Sequence, residues 1–163
     1  QYPDHTAALQ YRARLLRDSG AAQAALADYL HLFRLQPEQD PGHYLAAAAL
    51  TADTQQALSL LDARMATTGP IPQLQRKAIE LEKRSGNYAA AMDRLATLDA
   101  ATRATAAWHI EMAELLQLSG QPDLARPHLA IAREQLAAGR PTSARMALQQ
   151  QLESLEAAPL AAN

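Results

Sequence analysis

The chain has 163 residues, enough for one domain with a sizeable buried core, and a formal net charge of only −2. Such a charge shows no basic field of the kind that attracts nucleic acid or anionic membranes. The sequence contains 38 Ala, 26 Leu and no Val. Strands are built from β-branched and aromatic residues, so this composition predicts an all-α protein. The absence of cysteine excludes disulfides, thiolate metal sites and cysteine nucleophiles.

Three Ser-Gly pairs recur along the chain at related spacings. Gly86 and Gly120 are 34 residues apart, and Gly20 precedes Gly86 by 66 residues, about twice that interval. Three further columns follow the same period. They are Ala25, Ala57, Ala91 and Ala125; Tyr29, Leu61, Leu95 and Leu129; and Leu32, Arg64, Leu98 and Ala132. Matching columns at one period predict an internal repeat.

Each repeat is predicted to be an antiparallel pair of helices. Leu9, Ala13 and Leu16 recur at i, i+4 and i+7 before Gly20, which is the spacing of an apolar helix stripe. Equivalent stripes precede the other two glycines: Leu74, Ala78 and Leu81, then Ala113 and Leu116. The glycine supplies the left-handed residue that ends the first helix. A second helix follows, whose small alanine lets the two backbones approach closely.

The second repeat is degenerate. Its helices are predicted over Gly42–Leu50 and Gln55–Met65, and Ala52 occupies the place of the turn glycine. Asp53 is expected to cap the second helix. Arg64 replaces an apolar residue of the core column.

A last helix is predicted after Pro141, with Leu148, Leu152 and Leu155 on one side, because a terminal repeat needs a cap over its outer face. No apolar run approaches the roughly 18 residues of a membrane helix, so no membrane insertion is expected. We expect a single domain over residues 1–163. Its repeats are predicted at about 6–39, 40–71, 72–105 and 106–140, followed by the capping helix at about 142–156.

These columns resemble the tetratricopeptide repeat (TPR). Gly86-Asn87-Tyr88 with Ala91, Leu95 and Leu98 is similar to the turn and second helix of that repeat. Two further copies are Gly20, Ala25, Tyr29, Leu32 and Pro37, and Gly120, Ala125, Leu129 and Ala132. The resemblance covers about residues 6–140 and implies a right-handed α-solenoid of antiparallel helix pairs with a C-terminal capping helix. The layout is also similar to bacterial TPR proteins, which are often exported after cleavage of a signal peptide. With Gln1 in place of an initiator Met, this favours a processed periplasmic chain, the cytoplasm being the alternative.

The resemblance also implies which residues line the concave groove that receives peptides in TPR proteins. They are Gln10, Arg14, Arg17, Gln75, Ile79, Ile110, Glu114 and Gln117. Arginines in such a groove can pair with a carboxylate of a partner segment. The alternative, a solvated helix face, remains open at this stage. The family's carboxylate-clamp pattern is not matched, because it calls for Lys and Asn at Gln10 and Arg14.

No residue pattern indicates catalysis, a metal or a cofactor. The five histidines include no i, i+4 pair, and His109, Glu111 and Glu114 point in different directions around a helix. Gly-rich phosphate loops and nucleophile elbows are absent from the sequence. The single tryptophan, Trp108, is expected in the core between repeats more than as a ligand anchor.

The sequence therefore predicts a non-enzymatic scaffold that binds a protein or peptide partner. Three alternatives remain: a self-association module that forms homo-oligomers, a dedicated chaperone for an exported client, and a segment of a larger export or assembly scaffold. No cofactor and no nucleic-acid partner is expected.

Overall fold

The computed structural model describes residues 5–157, which contain ten α-helices and no strand. The helices are α1 (Thr6–Asp18), α2 (Ala22–Leu35), α3 (Pro41–Leu50), α4 (Thr54–Thr68), α5 (Pro72–Arg84), α6 (Tyr88–Ala96), α7 (Ala100–Arg103), α8 (Ala106–Leu118), α9 (Pro122–Ala137) and α10 (Ser143–Ala157). They pack into two compact units, the first ending at Leu81 and the second beginning at Glu82. That residues 1–163 form a single domain remains a prediction. Among the described residues, no helix is both long and apolar enough to cross a bilayer.

Glycine ends three of the helices in the same way. Gly20, Gly86 and Gly120 have φ values of 81°, 79° and 77°, the left-handed region that favours glycine. At the first of them, the Gly20 amide donates to the Arg17 carbonyl at 3.0 Å and the Ala21 amide to the Leu16 carbonyl at 2.8 Å. These two bonds form a Schellman motif, which satisfies carbonyls that the helix end would otherwise leave unpaired. The turn role predicted for the repeated Ser-Gly pairs is confirmed.

The turn between α3 and α4 uses a cap at the start of the second helix. The Asp53 carboxylate accepts hydrogen bonds from the amides of Gln55 at 2.9 Å and Gln56 at 3.3 Å. Thr51 adopts extended backbone, so the chain leaves α3 without a left-handed residue. The capping role expected of Asp53 is therefore confirmed.

The core of the first unit is built from the predicted columns and an aromatic cluster. Tyr29, Leu32 and Leu61 are fully buried, and Phe33 stacks on Tyr44 with ring centroids 3.7 Å apart. The stacked pair joins α2 to α3. Aromatic side chains bury large apolar areas, which makes them major contributors to the stability of this unit.

Arg64 also belongs to this core, with only 7% of its surface exposed. Its Nε donates to the Gln39 carbonyl at 2.8 Å, and its Nη1 donates to the hydroxyls of Thr67 and Thr68 at 3.1 and 2.6 Å. The guanidinium therefore connects the C-terminal part of α4 to the segment between α2 and α3. Its charge is stabilised by hydrogen bonds to neutral oxygen atoms. The other repeats carry an apolar residue at the matching position.

The second unit departs from the predicted columns at one point. Ala91 and Leu95 are fully buried as expected, but α6 ends at Ala96, two residues before Leu98. The one-turn helix α7 follows, and the Asp99 carboxylate caps it by accepting from the Thr102 amide at 2.9 Å. This local cap competes with continuation of α6, so half-buried Leu98 lies between helices.

The C-terminal helix α10 is fixed to α9 by an arginine. The Arg145 Nη1 donates to the carbonyls of Gln135 at 2.9 Å and Leu136 at 2.6 Å, near the end of α9. A cation at this position satisfies free carbonyls and complements the helix dipole. Leu152 is buried, while Leu148 and Leu155 are half-buried.

Candidate interaction surface

The predicted residues of α1 occupy its polar side, and they are not equivalent. Half-buried Gln10 donates from Nε2 to the Gln39 side-chain oxygen at 2.6 Å and so supports the segment that holds Arg64. Arg17 is exposed and donates from Nε and Nη2 to one oxygen of its neighbour Asp18, at 2.9 and 2.8 Å. That hydrogen bond raises the pKa of Arg17, with a smaller contribution from Tyr29. Gln10 therefore has a structural task, whereas Arg17 lies at the surface.

Arg14 differs from its neighbours on α1. Its side chain is exposed, and it makes no ion pair or hydrogen bond with any residue in the range 5–157. Arg12, two residues earlier, is held by Asp28 through two hydrogen bonds of 2.6 Å each, and Asp28 is buried on α2. This pairing raises the pKa of Arg12 and joins the two helices. Among the described residues, Arg14 is the guanidinium of α1 that remains available to a partner.

The predicted groove residues of α5 are corrected by their burial. Gln75 is 8% exposed and Ile79 is 2% exposed, so both side chains are buried. The error was one of register. Adding the 66-residue glycine interval to positions 10, 14 and 17 gives Arg76, Glu80 and Lys83. Arg76 and Glu80 are exposed, so Gln75 and Ile79 each lie one residue before a surface position.

The predicted residues of α8 are largely engaged within the second unit. Ile110 is 1% exposed, so its predicted apolar contact with a partner is corrected to a core position. Glu114 pairs with the Lys83 ammonium at 2.6 Å. Gln117 donates from Nε2 to the Leu155 carbonyl at 3.1 Å and so contacts α10. Helix α10 packs on this face, which leaves α8 fewer groups to offer than α1.

Two exposed apolar side chains on α1 were missed by the sequence analysis. Tyr11 is 67% exposed and Leu15 is 51% exposed, and the two are one helical turn apart. The signal was present, because Tyr11 and Leu15 lie off the stripe that Leu9 and Ala13 bury in the core. More than half of each side chain therefore faces away from the core.

Trp108 has a structural role in the second unit, as its sequence context predicted. Its side chain is half-buried, and Nε1 donates to the Leu95 carbonyl at 2.9 Å. Its ring also contacts His109 and His128, with centroids 5.1 and 5.5 Å away. The indole thus joins α6 to α8 and α9.

His109 and His128 form a pair that links α8 to α9. Their Nδ1 atoms are 2.9 Å apart, and burial lowers the pKa of both imidazoles. At this distance one imidazole donates from Nδ1 and the other accepts, as its tautomer allows. Within residues 5–157, no group of three or more His, Cys, Asp or Glu side chains is placed to hold a metal ion.

A cleft of about 380 Å³ in the second unit carries two arginines. Arg126 pairs with Asp123 at 3.1 Å, and Arg133 pairs with Glu156 of α10. Both charges are therefore compensated by carboxylates of the same unit. The cleft offers less unpaired charge than the surface around Arg14.

Neither the known family models nor the curated proteins give a match to this sequence. Solved structures do. A crystal structure of MamA protein matches with a TM-score of 0.65 at 14% identity, covering 82% of this chain and 74% of the other. A MamA RS-1 ArsTM double mutant matches with a TM-score of 0.63 at 12% identity, covering 93% and 94%.

A tetratricopeptide repeat protein from Parabacteroides merdae ATCC 43184 is also similar. Its TM-score is 0.55 at 19% identity, with 91% of this chain and 57% of the other covered. At these identities the likeness concerns the fold. The ten helices, the glycine turns and these neighbours together give one conclusion: the chain has an all-α fold of the TPR-like solenoid class.

Proposed function

We propose that this protein is a non-enzymatic scaffold that binds a segment of another protein on the exposed polar side of α1. The observation that carries the proposal is an exposed, unpaired Arg14 on the first helix of a TPR-like hairpin. Helical repeats of this class present the surfaces of successive helices to their partners. Binding is assigned to Arg14 and Arg17, because Glu114 and Gln117 already bond to Lys83 and Leu155.

The pairing of Arg17 with Asp18 supports this assignment. Both side chains are exposed, at 39% and 61%, and an exposed ion pair stabilises a protein by at most about 1 kcal/mol. A partner carboxylate can therefore replace Asp18 at little cost. Two arginines on adjacent turns of α1 then provide up to two bidentate contacts.

The test reverses the charge of both residues in Arg14→Glu/Arg17→Glu. A photo-crosslinking residue is placed at position 7, which is exposed and lies two turns before Arg14 on α1. We expect a discrete crosslinked protein from native extract with the wild-type side chains and a loss of at least tenfold in its yield with the double variant.

The matched control is Arg34→Glu/Arg140→Glu, which makes the same charge change at two other exposed positions. Circular dichroism verifies that both variants keep their helical content. Equal crosslinking in the two double variants would remove Arg14 and Arg17 from the binding surface.

A second candidate, self-association, has an observation of its own. Leu124 and Ile131 are 57% and 39% exposed and lie two turns apart on α9. Apolar side chains in such an arrangement are typical of helix contacts between protein chains. Sedimentation of the wild type against Leu124→Ser/Ile131→Ser tests this candidate, which predicts a concentration-dependent mass that the variant abolishes.

A further inference from the structure

We infer that α1 binds an acidic amphipathic segment, one that places an apolar side chain between Tyr11 and Leu15 and a carboxylate on Arg14. This inference rests on the proposed scaffold function and adds the chemistry of the partner. The surface is called the Tyr11–Arg14–Leu15 patch. It lies entirely within the first unit.

The apolar half of the patch is formed by Tyr11 and Leu15. Among the residues of the first unit that the structure describes, three large apolar side chains are exposed, and two of them, Tyr11 and Leu15, are on α1. Their i, i+4 spacing places them on adjacent turns of one face. Exposed Ala8 lies three residues before Tyr11, and its small side chain leaves room for an inserted group.

The charged half of the patch selects the sign of the partner. Of the three arginines of α1, Arg12 is neutralised by Asp28 and Arg17 by Asp18. Asp18 is the carboxylate one turn after Arg14, and its bonds to Arg17 occupy it. Within the described residues this leaves one uncompensated positive charge on the helix, at Arg14, three residues after Tyr11.

The charge and the apolar character of the patch indicate which kind of segment it binds. An exposed tyrosine beside an unpaired arginine has the composition of an interface hot spot. A carboxylate offers the guanidinium two parallel hydrogen bonds, whereas a neutral segment leaves the charge desolvated without a partner. A basic segment would be repelled. The patch therefore fits a short segment in which Asp or Glu lies within one turn of a Leu, Ile or aromatic residue.

The test selects peptides from a random phage-displayed library on the immobilised full chain. We expect the selected peptides to combine acidic and apolar residues at this spacing. A fluorescein-labelled selected peptide, measured by anisotropy, should bind about tenfold more weakly to Arg14→Glu and to Tyr11→Ala/Leu15→Ala. A Glu→Gln or Asp→Asn version of the same peptide should lose a similar factor on the wild type and nothing further on Arg14→Glu.

Matched controls come from the end of α2. Arg34 and Leu35 are exposed in the same unit, and the variants Arg34→Glu and Leu35→Ala should leave the affinity unchanged. All four variants change surface residues, and circular dichroism verifies their folding.

The outcomes separate this inference from the proposed function. Peptides without acidic enrichment, or peptides whose binding ignores Tyr11, Arg14 and Leu15 but is lost in Glu114→Ala, would overturn the inference and leave a scaffold that binds elsewhere. A library that yields no binder at all would overturn the inference together with the scaffold function.

Discussion

In each of the hairpins α1–α2 and α3–α4, a connection of the same length joins the two helices. The two connections differ in which helix end they stabilise. Three residues separate the helices in each, Ser19 to Ala21 in one and Thr51 to Asp53 in the other. In the first, Gly20 is in the left-handed conformation, and amides of the turn donate hydrogen bonds to carbonyls at the end of α1. In the second, Asp53 receives the amides at the start of α4. Connections of equal length can therefore be stabilised either at the end of the first helix or at the start of the second.

The same two hairpins also carry different residues at the last position of the core column, Leu32 in the first and Arg64 in the second. Leu32 is fully buried by apolar neighbours, while the matching Arg64 is buried by donating to a carbonyl and two hydroxyls. Burial of a guanidinium needs such partners because an unsatisfied donor costs about 1–3 kcal/mol. The degenerate repeat is thus held by specific polar contacts where the regular repeat is held by packing.

The largest effect is expected when this contrast is broken at position 64. Arg64→Ala removes the aliphatic stem from the core and leaves the Gln39 carbonyl without its donor. We expect a loss of about 3 kcal/mol in the free energy of unfolding, measured by urea denaturation. Arg64→Leu, which restores the column, should lose less because it refills the space. A leucine variant as stable as the wild type would mean that the polar contacts contribute no net stability.

The next effect concerns the glycine turn. In Gly20→Ala an added Cβ meets no atom within 4 Å, so the cost is confined to the backbone at φ +81°. We expect a loss of about 1–2 kcal/mol in unfolding free energy. The matched control is Ala52→Gly in the other hairpin. Since no non-glycine residue of the described chain has positive φ, glycine at position 52 relieves no strain and should not stabilise the protein.

These contrasts show how far the sequence alone could be used. Glycine spacing and three apolar columns predicted the helix pairs, because both depend on residues close together in the chain. The hydrogen bond that holds buried Arg64 could not be predicted, because its acceptor, the Gln39 carbonyl, lies 25 residues away in the chain. The assignment of Gln75 and Ile79 to a groove rested on the family resemblance and was wrong, because both side chains are buried.

The candidate surface was predicted in part. Arg14 and Arg17 were placed on the polar side of α1 correctly, since that side follows from helical periodicity. The sequence could not show that Arg14 alone lacks a partner in the described part of α1. That fact depends on Asp28 contacting Arg12 across sixteen residues of chain.

A smaller effect tests the cap that replaces the glycine. Asp53→Ala removes the acceptor for the amides of Gln55 and Gln56 at an exposed turn. We expect a loss of about 1 kcal/mol, with Asp53→Asn retaining most of the stability because the amide oxygen still accepts. Hydrogen exchange at the first turn of α4 measures the effect locally. Unchanged exchange there in Asp53→Ala would assign the turn to helix packing alone.

The smallest effect extends the comparison to the glycine hairpin α8–α9, whose helices share the His109–His128 pair. Burial lowers the pKa of both imidazoles below that of unfolded histidine, near 6.5, and His109 adds to the effect on His128. A lowered pKa means that the unfolded chain binds more protons in this range. The stability that the neutral pair contributes is therefore fully present above about pH 6.5 and is lost as the pH falls through the lowered values.

We expect urea midpoints to decrease below about pH 6.5 in the wild type and to decrease less in His128→Gln, which removes one titrating ring and keeps a side-chain amide that can bond to His109. His5→Gln is the matched control, because His5 is exposed and caps α1, away from this pair. If the pH dependence is the same in His128→Gln and His5→Gln, other groups carry it. If it is reduced in His128→Gln alone, the contact between α8 and α9 titrates, and a hairpin with a glycine turn then depends on a specific polar pair as the degenerate one depends on Arg64.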